Sequence, residues 1–80
     1  MNESKILEEV AKLVTEEHAI EREHGLVPVD DAARARLREL QVSLDQCWDL
    51  LRQRRARRDA GQNPDDATLR SGDVVERYQQ

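Results

Sequence analysis

The sequence predicts an all-α fold, an antiparallel two-helix hairpin with coiled-coil-like packing. Three observations support this prediction. Apolar residues recur at alternating spacings of three and four along two segments, charged residues fill most of the other positions, and a short stretch with glycine and proline separates the segments. The chain has 80 residues, so it has room for one small domain that buries only a modest part of its surface.

The first predicted helix covers about residues 3–24. Asn2 or Ser4 is suited to cap its start, and Gly25 has the conformational freedom that is needed just after a helix C-terminus. The link at about residues 25–30 is short and contains a proline, which favours two antiparallel neighbouring helices. The apolar positions of this helix share one face and are Ile6, Val10, Leu13 and Ile20, with Leu7 and Val14 at its edge.

The second predicted helix covers about residues 31–60, so that the hairpin domain comprises residues 1–61. Its apolar residues occupy the a and d positions of a heptad repeat in turn, with Trp48 at the edge. The two helices together give one stripe of residues that is predicted to mediate packing and self-association, here called the a/d stripe. Its members are Ile6, Val10, Leu13, Ile20, Leu37, Leu40, Leu44, Cys47, Trp48 and Leu51.

Residues 62–80 are predicted to form a mostly irregular or flexible tail. The segment has two glycines, a proline and no long periodicity. Val74, Val75 and Tyr78 lie at helical spacing, and we identify them as candidates for a short turn that docks onto the hairpin or onto a partner.

The size of the apolar set predicts self-association. A single cysteine, Cys47, excludes an internal disulfide, and no Cys and His residues have the spacing of a structural zinc site, so oligomerisation is the remaining support for so small a domain. We expect a homodimer in which two hairpins form an antiparallel four-helix bundle without a cofactor. A trimer or tetramer stays open, because the a/d stripe alone does not fix stoichiometry.

The composition also predicts where the protein resides. No apolar run approaches the length of a membrane span, and the acidic N-terminus has no signal-peptide core. A lone cysteine without a secretory signal is typical of a reducing compartment. We therefore expect a cytoplasmic protein without a membrane partner.

The most distinctive local feature is an arginine cluster at the end of the second helix. The chain has a net charge of −4 at pH 7, which disfavours nucleic acid as a partner, as does the lack of stacking aromatic residues nearby. We favour ion pairs within the chain or with a second copy, and next an acidic protein partner, with nucleic acid last. The cluster comprises Arg52, Arg54, Arg55, Arg57 and Arg58.

Other chemically active residues have structural explanations. Glu17, Glu21 and His24 are candidates for a helical metal site, but the second helix supplies only Glu39 as a further glutamate, and that residue lies off the stripe. Cys47 lies among leucines rather than beside a base, which is typical of a buried thiol. Asp45 and Asp49 are interpreted as ordinary surface charges near Arg52 or Arg38.

Two stretches carry a resemblance to a known family. LVTEEH at residues 13–18 and LDQCWDLLRQRRA at residues 44–56 resemble short actinobacterial proteins catalogued as domain of unknown function 2630. The likeness extends through both helices to the terminal VERYQQ. It implies an all-helical, cytoplasmic protein and brings no activity with it.

The function predicted from these observations is that of a non-catalytic interaction or structural module. Such a protein self-associates and serves as an accessory subunit of a protein assembly, and no catalytic constellation argues for an enzyme. Two alternatives stay open. One is a nucleic-acid-associated regulator that uses Arg52–Arg58, and the other is a metal-binding helical bundle that uses Glu17, Glu21 and His24.

Overall fold

A computed structural model describes residues 2–23 and 30–78, apart from the side chain of Tyr78. The chain forms α1 (Glu3–Glu23), α2 (Asp31–Asp59), a short 3₁₀ turn η1 (Pro64–Asp66) and α3 (Gly72–Tyr78). No strand occurs in the described residues. The all-helical prediction is confirmed, and α3 adds a third α-helix to the predicted pair.

Local hydrogen bonds explain where the helices begin and end. Asn2 caps α1, because its Oδ1 accepts from the backbone N of Lys5 at 2.9 Å. Asp30 caps α2, where its Oδ1 accepts from the backbone N of Ala33 at 2.7 Å. After α2 the chain reverses at Gly61, which has φ +75°, and the backbone N of Gln62 donates to the carbonyl of Arg57 at 2.7 Å. Residues 24–29, which include Gly25 of the predicted loop, lie outside the described residues.

The helices α1 and α2 pack antiparallel along their apolar stripes. Contacts at both ends establish the direction, since Glu3 lies near Arg55 and Glu16 binds Arg36. The Ile6 and Leu40 side chains are almost completely buried, and each stabilises the fold by about 2 kcal/mol through removal of apolar surface from water. The buried core comprises Ile6, Val10, Leu13, Leu40, Leu44, Cys47, Leu50 and Leu51, with Val14 and Ile20 partly buried against it.

The C-terminal segment is more ordered than the sequence predicts. Instead of a mostly irregular tail, η1 and α3 both pack against α2. Val75 is 1% exposed, Val74 is half-buried, and the side chain of Tyr78 lies outside the description. The hydroxyl of Ser71 accepts from the backbone N of Val74 at 3.3 Å and so caps α3.

Two glutamine amides of α2 hold the extended residues that connect η1 to α3. Gln46 Nε2 donates to the carbonyl of Arg70 at 3.0 Å, and Gln53 Nε2 donates to the carbonyl of Thr68 at 2.8 Å. These side chains are seven residues apart, which places them on one face of α2. The face lies away from α1, so α2 is covered on two sides.

The resulting molecule is flat. Its dimensions are 50 × 26 × 14 Å, and α1 and α3 flank α2 without touching each other in the described residues. The accessible surface is 5853 Å², whereas a compact protein of this mass exposes about 5000 Å². No helix in the described residues is long and apolar enough to cross a membrane.

The close approach of α3 to α2 yields a stability prediction at Gly72. A Cβ at this position would lie 2.7 Å from Val42 Cγ1, which is closer than van der Waals contact. We expect Gly72→Ala to lower the free energy of unfolding by about 1–3 kcal/mol, because the methyl group forces α3 away from α2. Urea denaturation followed by circular dichroism measures this effect.

The matched control for Gly72→Ala is the same substitution in a Val42→Ala background. With the valine methyl groups gone, we expect the change to be neutral or to stabilise by up to about 1 kcal/mol, because alanine favours helix over glycine. An equal loss of stability in both backgrounds would contradict the proposed contact.

Candidate protein-interaction surface

Two ion pairs mark opposite sides of the α1–α2 hairpin. Glu3 and Glu16 are separated by about 140° around α1 when each residue turns the helix by 100°. Glu16 accepts a bidentate pair from Arg36, with Nε–Oε1 at 2.8 Å and Nη2–Oε2 at 2.9 Å. Glu3 Oε1 lies 3.9 Å from Arg55 Nη2. The apolar stripe of α1 passes between these two positions, so each ion pair belongs to a different broad face.

The first broad face, here called the Trp48 face, comprises Leu7, Val14, Gln41 and Trp48. Leu7 follows Glu3 by one helical turn and Trp48 precedes Arg55 by two turns, so both lie on the side of the Glu3–Arg55 pair. They are about 6 Å and 10 Å along the helices from that pair, respectively, and are therefore near neighbours. Leu7 is 46% exposed and Trp48 is 43% exposed. This face presents a leucine and the chain's single tryptophan to solvent.

The second broad face, here called the groove face, contains an apolar groove of about 550 Å³ between the hairpin and the C-terminal segment. Leu69 projects at its edge and is 59% exposed. Unlike the Trp48 face, this one is crossed by the extended backbone between η1 and α3. The groove is lined by Glu9, Leu13, Ser43, Gln46, Cys47, Leu50, Ala67, Thr68 and Leu69.

The predicted arginine cluster is divided among different environments. The side chain of Arg54 is only 14% exposed, and its Nη1 donates to Asp65 Oδ1 at 3.0 Å and to the Pro64 carbonyl at 3.3 Å. Arg57 is half-buried and lines a small cavity beside Gln62. Arg52, Arg55 and Arg58 are exposed. The five arginines therefore do not form one continuous basic surface, which weighs against the nucleic-acid interpretation.

Asp45 and Asp49 are not the surface charges that the sequence suggested. Their residues are 7% and 6% exposed, because the C-terminal segment covers them. Asp49 Oδ2 accepts from Gln53 Nε2 at 3.0 Å and lies 3.5 Å from Arg70 Nε. These partners offset the cost of burying a carboxylate. Asp49 thus serves to attach the C-terminal segment to α2.

Asp45 forms a different kind of contact, with a second carboxyl group. Glu76 of α3 lies against it, and the hydrogen bond to Asp45 raises the pKa of Glu76, with burial and the charge of Asp45 acting in the same direction. Glu76 Oε1 is buried without a hydrogen-bond partner, and Asp45 Oδ1 accepts from Gln41 Nε2 at 3.4 Å. A carboxyl group beside a negative charge is more readily protonated, because two adjacent negative charges repel each other. The pair thus couples the docking of α3 to protonation.

Cys47 has the environment of a core residue. It is buried in the hairpin, and burial raises the pKa of its thiol, with the negative charge of Glu9 adding to the effect. Both influences disfavour the thiolate, which is the reactive form of cysteine.

The predicted metal candidates are not brought together by the described residues. Glu17 is half-buried and Glu21 is exposed on α1, while His24 lies outside the described residues. Within residues 2–23 and 30–78, no group of three His, Cys, Asp or Glu side chains could hold a metal ion.

Sequence reasoning missed the residues that attach the C-terminal segment. Leu50, Gln46 and Gln53 lie off the a/d stripe. The two glutamine amides donate to backbone carbonyls, which leave no trace in side-chain patterns, while Leu50 lines the groove beside Ala67 and Leu69. The sequence did contain one signal. Leu50 adds an apolar position next to Leu51, so α2 has more apolar residues than packing against a single partner helix requires.

The Asp45–Glu76 pair predicts a pH-dependent stability. Because the folded-state pKa of Glu76 is raised above its ordinary value of 4.5, its contribution is fully present below that value and is lost as the pH rises through the folded-state pKa. Glu76→Gln supplies an uncharged donor to Asp45. We therefore expect its stability relative to the wild type to increase as the pH rises from about 4.5 towards neutrality.

Urea denaturation at a series of pH values tests this expectation, with Glu8→Gln as the matched control. Glu8 is exposed on α1, so its substitution removes the same charge without touching α3. A stability difference between Glu76→Gln and the wild type that stays constant across the pH series would contradict the raised pKa of Glu76.

Comparison with known proteins agrees with the resemblance noted in the sequence. The chain is 42% identical over 78 residues to an uncharacterised protein of Mycobacterium bovis, and the alignment covers 95% of this chain and 88% of the relative. Uncharacterised proteins from two strains of Mycobacterium tuberculosis match to the same extent. No solved structure matches significantly. A family model matches residues 2–80, and the chain therefore belongs to the family described as protein of unknown function (DUF2630).

Proposed function

We propose that this protein is a non-catalytic helical interaction module that self-associates. The observation that carries the proposal is the flat shape of the molecule, which leaves a tryptophan and two leucines about half exposed on its broad faces. Tryptophan is enriched at the centres of protein interfaces, where its large ring contributes much of the binding energy.

The amount of exposed surface supports the same proposal. An accessible surface of 5853 Å² exceeds by several hundred Å² the value expected for a compact protein of this mass. Small domains without disulfides or metals commonly gain the missing stability by oligomerisation. A second copy would supply a further layer over the exposed face of the α1–α2 hairpin.

The environment of the chemically active groups supports a non-catalytic role. The Cys47 thiol is buried and its pKa is raised. The Asp45–Glu76 carboxyl pair lies at the contact between α2 and α3 and does not line the apolar groove. Cys47 does line the groove, but its raised pKa disfavours the reactive thiolate. These environments suit packing and docking better than chemistry on a substrate.

The proposal predicts the mass of the protein in solution. We expect light scattering coupled to size-exclusion chromatography to give twice the 9.3 kDa of the single chain at micromolar concentration, with dissociation on dilution. Because Trp48 is the chain's single tryptophan, acrylamide should quench its fluorescence less at high protein concentration than at low. A mass of one chain at every concentration would overturn the proposal.

A further inference from the structure

We propose that two copies pair through their Trp48 faces, about a two-fold axis that runs parallel to the hairpin. This inference rests on the proposed self-association and specifies its surface and geometry. In such a pair, α1 of one copy lies against α2 of the other. Each helix of the resulting four-helix arrangement then has antiparallel neighbours, which is the packing of many four-helix bundles.

The Trp48 face is better suited to helix packing than the groove face. Its side chains Leu7, Val14, Gln41 and Trp48 all come from α1 and α2, so they form ridges and grooves that a second helical pair can match. On the groove face, the extended backbone from Ala67 to Arg70 projects between the helices, and its Leu69 side chain stands above the surface. In a two-fold dimer the same surface of both copies forms the interface, so that surface must be complementary to itself. The Trp48 face, which has no projecting backbone segment among its residues, satisfies this condition more readily than the groove face.

The charges of the two helices favour α1 against α2 of the partner copy. Residues 1–24 have seven acidic and three basic side chains, whereas residues 46–60 have five arginines and two aspartates. Rotation about a two-fold axis parallel to the helices leaves each residue at the same height along them in both copies. Glu3 of one copy then lies at the level of Arg52 and Arg55 of the other, because Glu3 and Arg55 are already level within one chain.

The other two-fold arrangement has the opposite electrostatics. If the axis crossed the hairpin, α2 would lie antiparallel to α2 of the partner copy, and α1 to α1. The arginine-rich end of one α2 would then approach Arg34 and Arg38 near the start of the other, and the acidic α1 helices would face each other. Like charges in juxtaposition cost binding energy and exclude wrong arrangements. The charge distribution therefore selects the first arrangement.

Two exposed leucines provide a matched test of the surface. Leu7 lies on the Trp48 face and Leu69 on the groove face, with 46% and 59% exposure. We expect Leu7→Glu to raise the dimer dissociation constant at least about thirtyfold, because an interface carboxylate is desolvated in both copies. Leu69→Glu should leave the constant unchanged. Sedimentation equilibrium measures the constants, and circular dichroism checks that Leu7→Glu remains helical, as glutamate is a good helix former.

The outcomes separate this inference from the proposed function. A wild-type monomer would overturn self-association itself. A wild-type dimer that resists Leu7→Glu, or that Leu69→Glu dissociates, would leave self-association intact and refute the Trp48 face as its surface.

Charge reversal at Arg52 tests the arrangement independently of the leucines. Arg52 is exposed one turn beyond Trp48. With α1 against α2 of the partner, Arg52→Glu brings like charges together and should weaken the dimer about two- to fivefold. With α2 against α2, the same substitution would relieve repulsion between arginines and strengthen the dimer, which would refute the proposed axis.

Discussion

The structure depends on the ability of one helix, α2, to be covered on two sides at once. Its leucines at positions 40, 44 and 51 pack against α1, while a second side binds η1, the extended residues and α3. Within the described residues, α1 and α3 each contact this 29-residue central helix and do not contact each other. The flat shape and the exposed tryptophan follow from this arrangement.

The two sides of α2 are stabilised by different physical means. The side towards α1 is apolar, so its stability comes from burial of leucine, isoleucine and valine. The side towards the C-terminal segment combines Val75 with buried aspartates and glutamine amides. Each buried polar group there contributes only while its partner is in place, because an orphaned one costs about 1–3 kcal/mol. The docking of the C-terminal segment therefore depends on polar partners as well as on apolar burial, and the raised pKa of Glu76 makes that docking sensitive to pH.

This difference explains how much of the molecule the sequence could predict. The heptad spacing from Leu37 to Leu51 and the cap at Asn2 are local signals, and the structure places helices where those signals predict them. The docking of residues 67–78 depends on amide-to-carbonyl bonds and on the Asp49–Arg70 contact across 21 positions of sequence. Such contacts have no periodicity.

Aspartates four apart on a helix resemble solvent-exposed charges until the segment that covers them is located, which is why Asp45 and Asp49 were misjudged. The Trp48 face could be located only once the Glu3–Arg55 pair established how α1 and α2 are aligned along their axes.

The unequal coverage of α2 also bears on the size of the assembly. Among the described residues, the C-terminal segment lines the groove face, whereas the side chains of the Trp48 face come from α1 and α2. A two-fold pair uses this same face on both copies and leaves no equivalent surface open for a third. Growth into a filament would instead require two different complementary faces on each copy. In the proposed pairing through the Trp48 faces, the assembly therefore closes at two copies.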